Sequence, residues 1–198
     1  MKVQDLYETP MLIGDHDFDP EIDGFDLTDP DENAQAYEKI INSKRTHQIE
    51  KHNDSQYLYG YGDKIVLLNI KDHRVDYYVK LETGKFKLTG KYITQVEVWR
   101  TKERSVFGIV QKVFFDHILK SHDTVLSDSL QTNEGRGLWS NLVGYAFQRG
   151  LNVYVADLNT GELRKVKDDS DYRNNIKNFY DTTKKAERVR VMISNTEM

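Results

Sequence analysis

Cysteine is absent from the 198 residues of this chain. Disulfide bonds, thiolate metal ligands and a cysteine nucleophile are therefore excluded, and the composition suits a reducing cytoplasm. Proline is scarce, and its three residues (Pro10, Pro20, Pro30) all lie within the first 30 positions. Together with a run of acids, these prolines argue against regular structure before Asp31.

Long apolar runs are also missing, and the mean hydropathy is −0.70. No stretch approaches the length that a membrane-spanning helix needs. The opening residues MKVQDLYETPMLIG lack the charged and apolar regions of a secretory signal. We expect a soluble protein of the cytoplasm, or a component of a virion, with no membrane contact.

Charge is unevenly distributed along the chain. Residues 1–32 contain eleven acidic residues and one lysine, a net charge of −10, whereas the whole chain carries −4. The remaining body is therefore modestly basic, which favours an anionic ligand or nucleic acid, while the acidic segment either covers that surface or aids solubility. We predict an irregular acidic leader over 1–30 and a single domain over 31–198.

Hydrophobic periodicity predicts a strand-rich first half. Asp31-Glu32-Asn33 is typical of a helix cap, and the helix is expected to run through Asn42. Alternating or continuous apolar residues then predict strands, joined by turns at Asp72-His73 and Thr83-Gly84. The predicted strands are Gln56–Gly60, Lys64–Lys71, Arg74–Glu82 and Lys85–Arg100.

The second half alternates helices with strands. Helical spacing of apolar residues predicts a helix over Ser105–Ser121 and another that begins at Thr132 or Asn133 and ends at Gly150. A polar helix is expected near Ser170–Tyr180. The strands predicted here are Val125–Ser127, Asn152–Leu158, Glu162–Val166 and Glu187–Ile193. The sum is an α/β or α+β fold built on one mixed sheet.

The order strand, helix, strand, helix, strand in this half resembles the cofactor-binding half of a GNAT acyltransferase. Asn141, Gly144, Phe147 and Gly150-Leu151 fit a helix pattern of that family. The block from Ser127 to Trp139 is similar to one in GNAT-fold proteins encoded by bacteriophages. The resemblance covers about residues 45–195 and implies a mixed, mostly antiparallel central sheet flanked by helices.

The resemblance also implies acetyl-CoA as the cofactor. Main-chain amides around Val98, on the strand Thr94–Arg100, would contact the thioester, and the loop after it would bind the pyrophosphate. Of the family's pattern in that loop, Arg104 and Gly108 are present. Lys102, Arg104, Gly108 and Asn141 are therefore the candidate cofactor contacts, because free amides, glycine and positive charge stabilise phosphate at a helix start.

Three residues are candidates for catalysis. Glu97 alternates with Val96 and Val98 on the predicted strand, and a carboxylate there would accept a proton from an acceptor amine through water. Tyr145 lies near the position of the family's frequent general acid, with a packed aromatic as the alternative. Ser127 ends a strand, where it would serve either the site or only the turn.

Three other functions compete with acyl transfer. A protein that keeps the GNAT fold without catalysis, and binds a host protein or belongs to a virion, is the main alternative. Nucleic-acid binding rests only on the alternating Tyr57, Tyr59 and Tyr61, which are more typical of a sheet face, and on the basic residues Lys44, Arg45, Lys184, Lys185, Arg188 and Arg190. A calcium loop at Asp15–Pro20 is disfavoured because Pro20 occupies the position that needs glycine.

Overall fold

The computed structural model describes residue 27 and residues 29–100, 108–127, 133–158, 160–180 and 189–198. Within these residues the chain forms a mixed α+β fold of nine strands and four helices. The helices are α1 (Pro30–Ile41), α2 (the consecutive segments Ile109–Lys112, Val113–Ile118 and Leu119–Ser121), α3 (Asn133–Gln148) and α4 (Asp169–Tyr180). The strands are β1 (Thr46–Lys51), β2 (Gln56–Tyr61), β3 (Lys64–Asn69), β4 (Arg74–Lys85), β5 (Tyr92–Arg100), β6 (Thr124–Ser127), β7 (Asn152–Asp157), β8 (Glu162–Val166) and β9 (Val189–Ser194).

The strands follow the order β1-β2-β3-β4-β5-β6-β9-β7-β8 in one sheet. β5 and β6 run parallel. β1 to β4 pair antiparallel in sequence order, and β9 pairs antiparallel with both β6 and β7. The predicted mixed, mostly antiparallel sheet with helices is therefore confirmed.

The chain divides into two compact units. The meander unit contains the described residues up to Glu82 together with Glu97–Val110. The C-terminal unit contains Thr83–Val96 and Gln111–Met198. Each unit has its own apolar cluster.

In the meander unit, α1 packs on one face of the β2–β4 strands. Tyr37 and Ile40 lie three residues apart on the helix, so both point toward the strands. They form one buried cluster with Val66, Leu68, Val75 and Tyr78. The alternating Tyr59 and Tyr61 pack against the same cluster, which is the sheet-face role that their spacing predicts.

The C-terminal unit is centred on β9, which lies between β6 and β7 although it is the last strand in the chain. Its register aligns Val125 with Ile193 and Leu126 with Met192, and β7 continues the same rows. One face carries a buried cluster of Phe86, Ile93, Leu126, Tyr154, Ala156 and Met192. α3 packs on β7 and β9, and α4 packs on β8.

The start of α1 differs from the prediction. Asp29 is the N-cap, because its Oδ1 accepts hydrogen bonds from the main-chain N–H groups of Asp31 at 2.9 Å and Glu32 at 3.0 Å, and Pro30 is the first helical residue. The predicted cap Asp31-Glu32-Asn33 is therefore wrong by two residues. Asn33 instead lies inside the helix and is buried.

The connection between β4 and β5 also differs. The predicted turn at Thr83-Gly84 is wrong, because β4 continues through both residues to Lys85. The chain reverses after it, where Phe86 N–H donates to the Lys91 carbonyl at 2.9 Å and Gly90 adopts a positive φ of 69°. β1 is an additional strand at the sheet edge, where polar residues hide the alternation on which prediction depends.

Asn33 ties α1 to the sheet through its side-chain amide. Its Oδ1 accepts from Val75 N–H at 2.6 Å, and its Nδ2 donates to the carbonyls of Val75 at 3.0 Å and Leu27 at 2.9 Å. We expect Asn33→Ala to lower the free energy of unfolding by roughly 1–3 kcal/mol, because buried main-chain groups lose their partner. Urea denaturation measures this. Gln35→Ala, an exposed amide in the same helix, is the control and should change stability by less than about 0.5 kcal/mol; equal losses would contradict the role of Asn33.

Candidate active site

The parallel strands β5 and β6 define the candidate site. Ligands of α/β sheets commonly bind beside the carboxyl ends of adjacent parallel strands, where the following loops diverge. The register aligns Thr94 with Val125, Gln95 with Leu126 and Val96 with Ser127. The last residue of β6 and the second half of β5 are therefore the positions at which the sequence predicts chemistry.

Ser127 ends β6 and is fully buried. Its Oγ accepts a hydrogen bond from the main-chain N–H of Val191 on β9 at 3.0 Å. The hydroxyl thus takes part in joining β6 to β9, which favours the structural alternative for this residue. Asp128 and Thr132, which belong to the same sequence block, lie outside the described residues.

Glu97 and Val98 lie on β5 and are both half-buried. Partial burial is the environment expected of a proton-accepting carboxylate. Glu97, Val98 and Gly108 belong to the meander unit, whereas Ser127, Asn141 and Tyr145 belong to the C-terminal unit. The predicted residues are therefore divided between the two units.

Gly108 directly precedes α2. It is exposed and has a φ of 84°, a left-handed conformation that side chains other than glycine rarely adopt. A Cβ built on Gly108 would meet no atom within 4 Å, so the backbone here is open to a ligand. The first main-chain amides of a helix lack partners within the helix and attract anions. Lys102 and Arg104, the predicted basic contacts, lie outside the described residues.

Asn141 and Tyr145 share one side of α3, because they are four residues apart. Both are exposed, and Tyr145 has 38% of its surface accessible. The opposite side of the helix carries the core residues, including Trp139, which packs edge to face on Phe114 of α2 with ring centroids 5.7 Å apart. Tyr145 is therefore not a core aromatic.

A chain of hydrogen bonds that the sequence does not predict lies at the start of β5. Thr94 Oγ1 is 2.8 Å from Thr83 Oγ1 and 2.8 Å from His122 Nδ1. Thr94 is buried, Thr83 is exposed and His122 is half-buried. Although His122 follows α2 as a capping residue, its ring bonds to the strand instead of the helix end. Such a chain connects an exposed hydroxyl to an imidazole.

Gln95 is the second feature that the sequence does not reveal. It is 1% exposed, and among the residues that the structure describes neither Oε1 nor Nε2 has a hydrogen-bond partner. An unpaired buried polar group costs about 1–3 kcal/mol. Gln56 is also buried, but both polar atoms of its amide are bonded: Nε2 donates to Asp76, and Oε1 accepts from Asn53. The two glutamines differ in the partners that neighbouring strands offer them, and the sequence does not show which strands are neighbours.

Some residues considered for the other candidate functions lie within the described ranges. Arg190, one of the basic residues considered for nucleic acid, is 1% exposed in β9 and donates from Nη1 to the Val189 carbonyl at 3.2 Å. Lys184, Lys185 and Arg188 lie outside the description. Across the described positions, no cluster of histidine and acidic residues is arranged to hold a metal ion, and no helix has the length and apolar content to cross a membrane.

His122 gives the protein a predicted pH dependence. Burial lowers the pKa of His122 below its ordinary value of 6.5. Since the unfolded chain then binds a proton more readily, the contribution of His122 to stability is complete above pH 6.5 and is lost as the pH falls through the lowered pKa. Urea unfolding at pH 8, 7, 6 and 5 should show a smaller loss for His122→Gln than for the wild type. At pH 8 both imidazole and amide are neutral, so a difference there reports the bond to Thr94 alone; parallel curves would contradict the assignment.

No family model, no curated protein and no solved structure matches this chain. The resemblance to GNAT acyltransferases therefore rests on the residues and the element order given above. The roles of the site residues follow from their chemistry and surroundings.

Proposed function

We propose that this chain is a GNAT-like acyltransferase that moves an acetyl group from acetyl-CoA to an amine. The observation that carries the proposal is the β5-α2-β6 crossover, in which the helix follows Gly108 with its left-handed backbone. A parallel crossover of this kind presents a helix start beside the end of a strand. That arrangement suits a ligand with a pyrophosphate group.

Several features of the crossover support cofactor binding. Gly108 leaves room for a phosphate to approach the main chain, because no atom lies where a side chain would begin. Lys102 and Arg104 precede it in sequence and supply positive charge. Val98, half-buried near the end of β5, offers main-chain groups to the thioester carbonyl. Asn141, on the exposed side of α3, is a further cofactor contact that the family resemblance implies.

The reaction requires few side chains. The acceptor nitrogen attacks the thioester carbon, a C–N bond forms, and the C–S bond breaks to release the CoA thiolate. Glu97 takes the proton from the amine through water, and the thiolate takes a proton from solvent; Tyr145 is the general acid that the family resemblance implies. Positioning accounts for much of such a rate, since the amine is a good nucleophile once it is neutral. Ser127 takes no part in these chemical steps, because its hydroxyl is buried against β9.

A second candidate function is protein binding without catalysis, by a host-factor inhibitor or a virion component. Two exposed aromatic residues of the C-terminal unit favour it: Tyr92 is 73% exposed and Tyr145 is 38% exposed. Tyrosine is enriched in protein interfaces. Under this function the fold is kept, Tyr145 contacts the partner and acetyl-CoA has no effect.

Binding of acetyl-CoA separates the two functions. Thermal denaturation of the full chain with acetyl-CoA at a hundred times its dissociation constant should show about 2.7 kcal/mol of added stability. The double variant Lys102→Gln, Arg104→Gln should require more acetyl-CoA for the same shift, whereas Lys120→Gln, exposed at the other end of α2, should match the wild type. No shift of the wild type at millimolar acetyl-CoA would overturn the acyltransferase proposal.

Glu97→Gln tests the proposed base. Loss of a general base typically lowers turnover by about 10²- to 10⁴-fold. We expect this drop in kcat, with acetyl-CoA binding unchanged, when release of the CoA thiol is followed over a panel of primary amines. Raising the pH should partly restore activity, because more of the amine is then neutral without a base. Glu162→Gln, exposed on β8, is the control; equal turnover of Glu97→Gln and wild type would remove Glu97 from the mechanism.

A further inference from the structure

The side chain of Gln95 differs in its hydrogen bonding from three other buried polar side chains. Asn33, Gln56 and Ser127 each bond to a neighbouring group. Gln95 is as deeply buried as they are, yet both atoms of its amide lack a partner in the described part of the chain. Buried polar groups are nearly always paired, so an exception calls for a specific explanation, such as a functional role or a bound water or ion.

The register of the sheet explains why the protein supplies no partner. Residues directly opposite on paired strands lie on the same face, and Gln95 is opposite Leu126, which is opposite Met192 on β9. Ile93, two residues earlier on β5, lies on that face as well. Ile93, Leu126 and Met192 are buried members of one apolar cluster. Gln95 is therefore an amide set in an apolar wall.

An apolar side chain would suit this wall better than glutamine. Leucine or methionine at position 95 would fill similar space and leave no polar group without a bond. A residue that lowers stability without a structural benefit is typical of a functional position. Ligand sites have this composition: mostly apolar walls with a few polar groups that fix the orientation of the ligand.

We propose that Gln95 is the recognition residue of a small-molecule site on this face of β5, β6 and β9, and that the ligand has an apolar body with an amide edge. The carboxamide donates from Nε2 to a carbonyl of the ligand and accepts at Oε1 from its N–H. An amide of the ligand presents a carbonyl and an N–H in the complementary order, so it forms two hydrogen bonds with the carboxamide of Gln95. The site uses residues of the C-terminal unit alone and does not depend on acyl transfer.

The stability of Gln95→Met in the full chain tests whether the amide is unpaired. Methionine removes both polar atoms at nearly constant volume. We expect its Tm to rise by about 2–4 °C, the shift typical of a modest stabilisation in a chain of this size. Gln56→Met is the matched control, because Gln56 is equally buried and its amide is bonded; its Tm should fall. A fall in Tm for Gln95→Met as well, or failure of that variant to fold, would show that the amide is already satisfied and would overturn the proposal.

Ligand binding is tested on the wild type with benzamide, which has an aromatic body and an amide edge. Buried apolar sites admit aromatic molecules of this size. Amide NMR spectra of the ¹⁵N-labelled full chain should show saturable shifts at Leu126 and Met192 and at the side-chain amide of Gln95. Gln95→Met should weaken benzamide binding at least about tenfold, while toluene, which lacks the amide, should bind the variant no more weakly than the wild type. Absence of shifts with millimolar benzamide in the wild type would overturn the proposal whatever the variant does.

Discussion

Parallel pairing of β5 with β6 is the constraint on which the arrangement of the C-terminal unit depends. Parallel strands cannot be joined by a tight turn, so the chain must cross over between them, and α2 is that crossover. The last strand, β9, then pairs with β6 and leads to β7 and β8. Because β9 lies between strands that precede it in sequence, the row Gln95, Leu126 and Met192 is complete only after the whole chain has folded.

Polar side chains inside this protein add connections between elements to those that backbone hydrogen bonds make. Asn33 bonds a helix to β4, and Gln56 bonds to Asp76 beside the β-bulge between β3 and β4. Ser127 accepts from β9 at the end of β6. In each case an amide or hydroxyl makes a hydrogen bond additional to those of the regular helices and strands. Such bonds help to specify the register of the elements and to stabilise their packing. The amide of Gln95 makes no such bond among the described residues, and this difference is the basis of its proposed role in ligand binding.

Sequence patterns predict the regular parts of the fold well and the irregular parts poorly. Alternation locates β2 and a continuous apolar run locates β3, while helical spacing locates α3 and α4. It misses β1, whose residues are polar at a sheet edge, and it ends β4 too early because Thr83-Gly84 has turn composition within a strand. It also gives no sign of the π-helical segment Val113–Ile118 within α2, since the change in spacing there is smaller than the tolerance of an apolar stripe. These failures share a cause: the deciding contacts are made with residues distant in the chain.

The same cause limits what a sequence can say about the candidate site. A serine at a strand end, a tyrosine on a helix and a glutamate on a strand are visible as residue types, but their surroundings in the fold are not, as the bond between Ser127 and β9 shows. Ser127 has the chemistry of a nucleophile or donor and is held against Val191, whereas Tyr145, which has helical spacing close to that of core residues, is exposed. Gln95 has no catalytic signature at all. A glutamine between Thr94 and Val96 on a strand is expected at a surface position, and only the register with Leu126 shows that it faces the interior. Function in such a sheet is therefore encoded in pairing, and the residues to examine first are polar ones whose pairing leaves them without a partner.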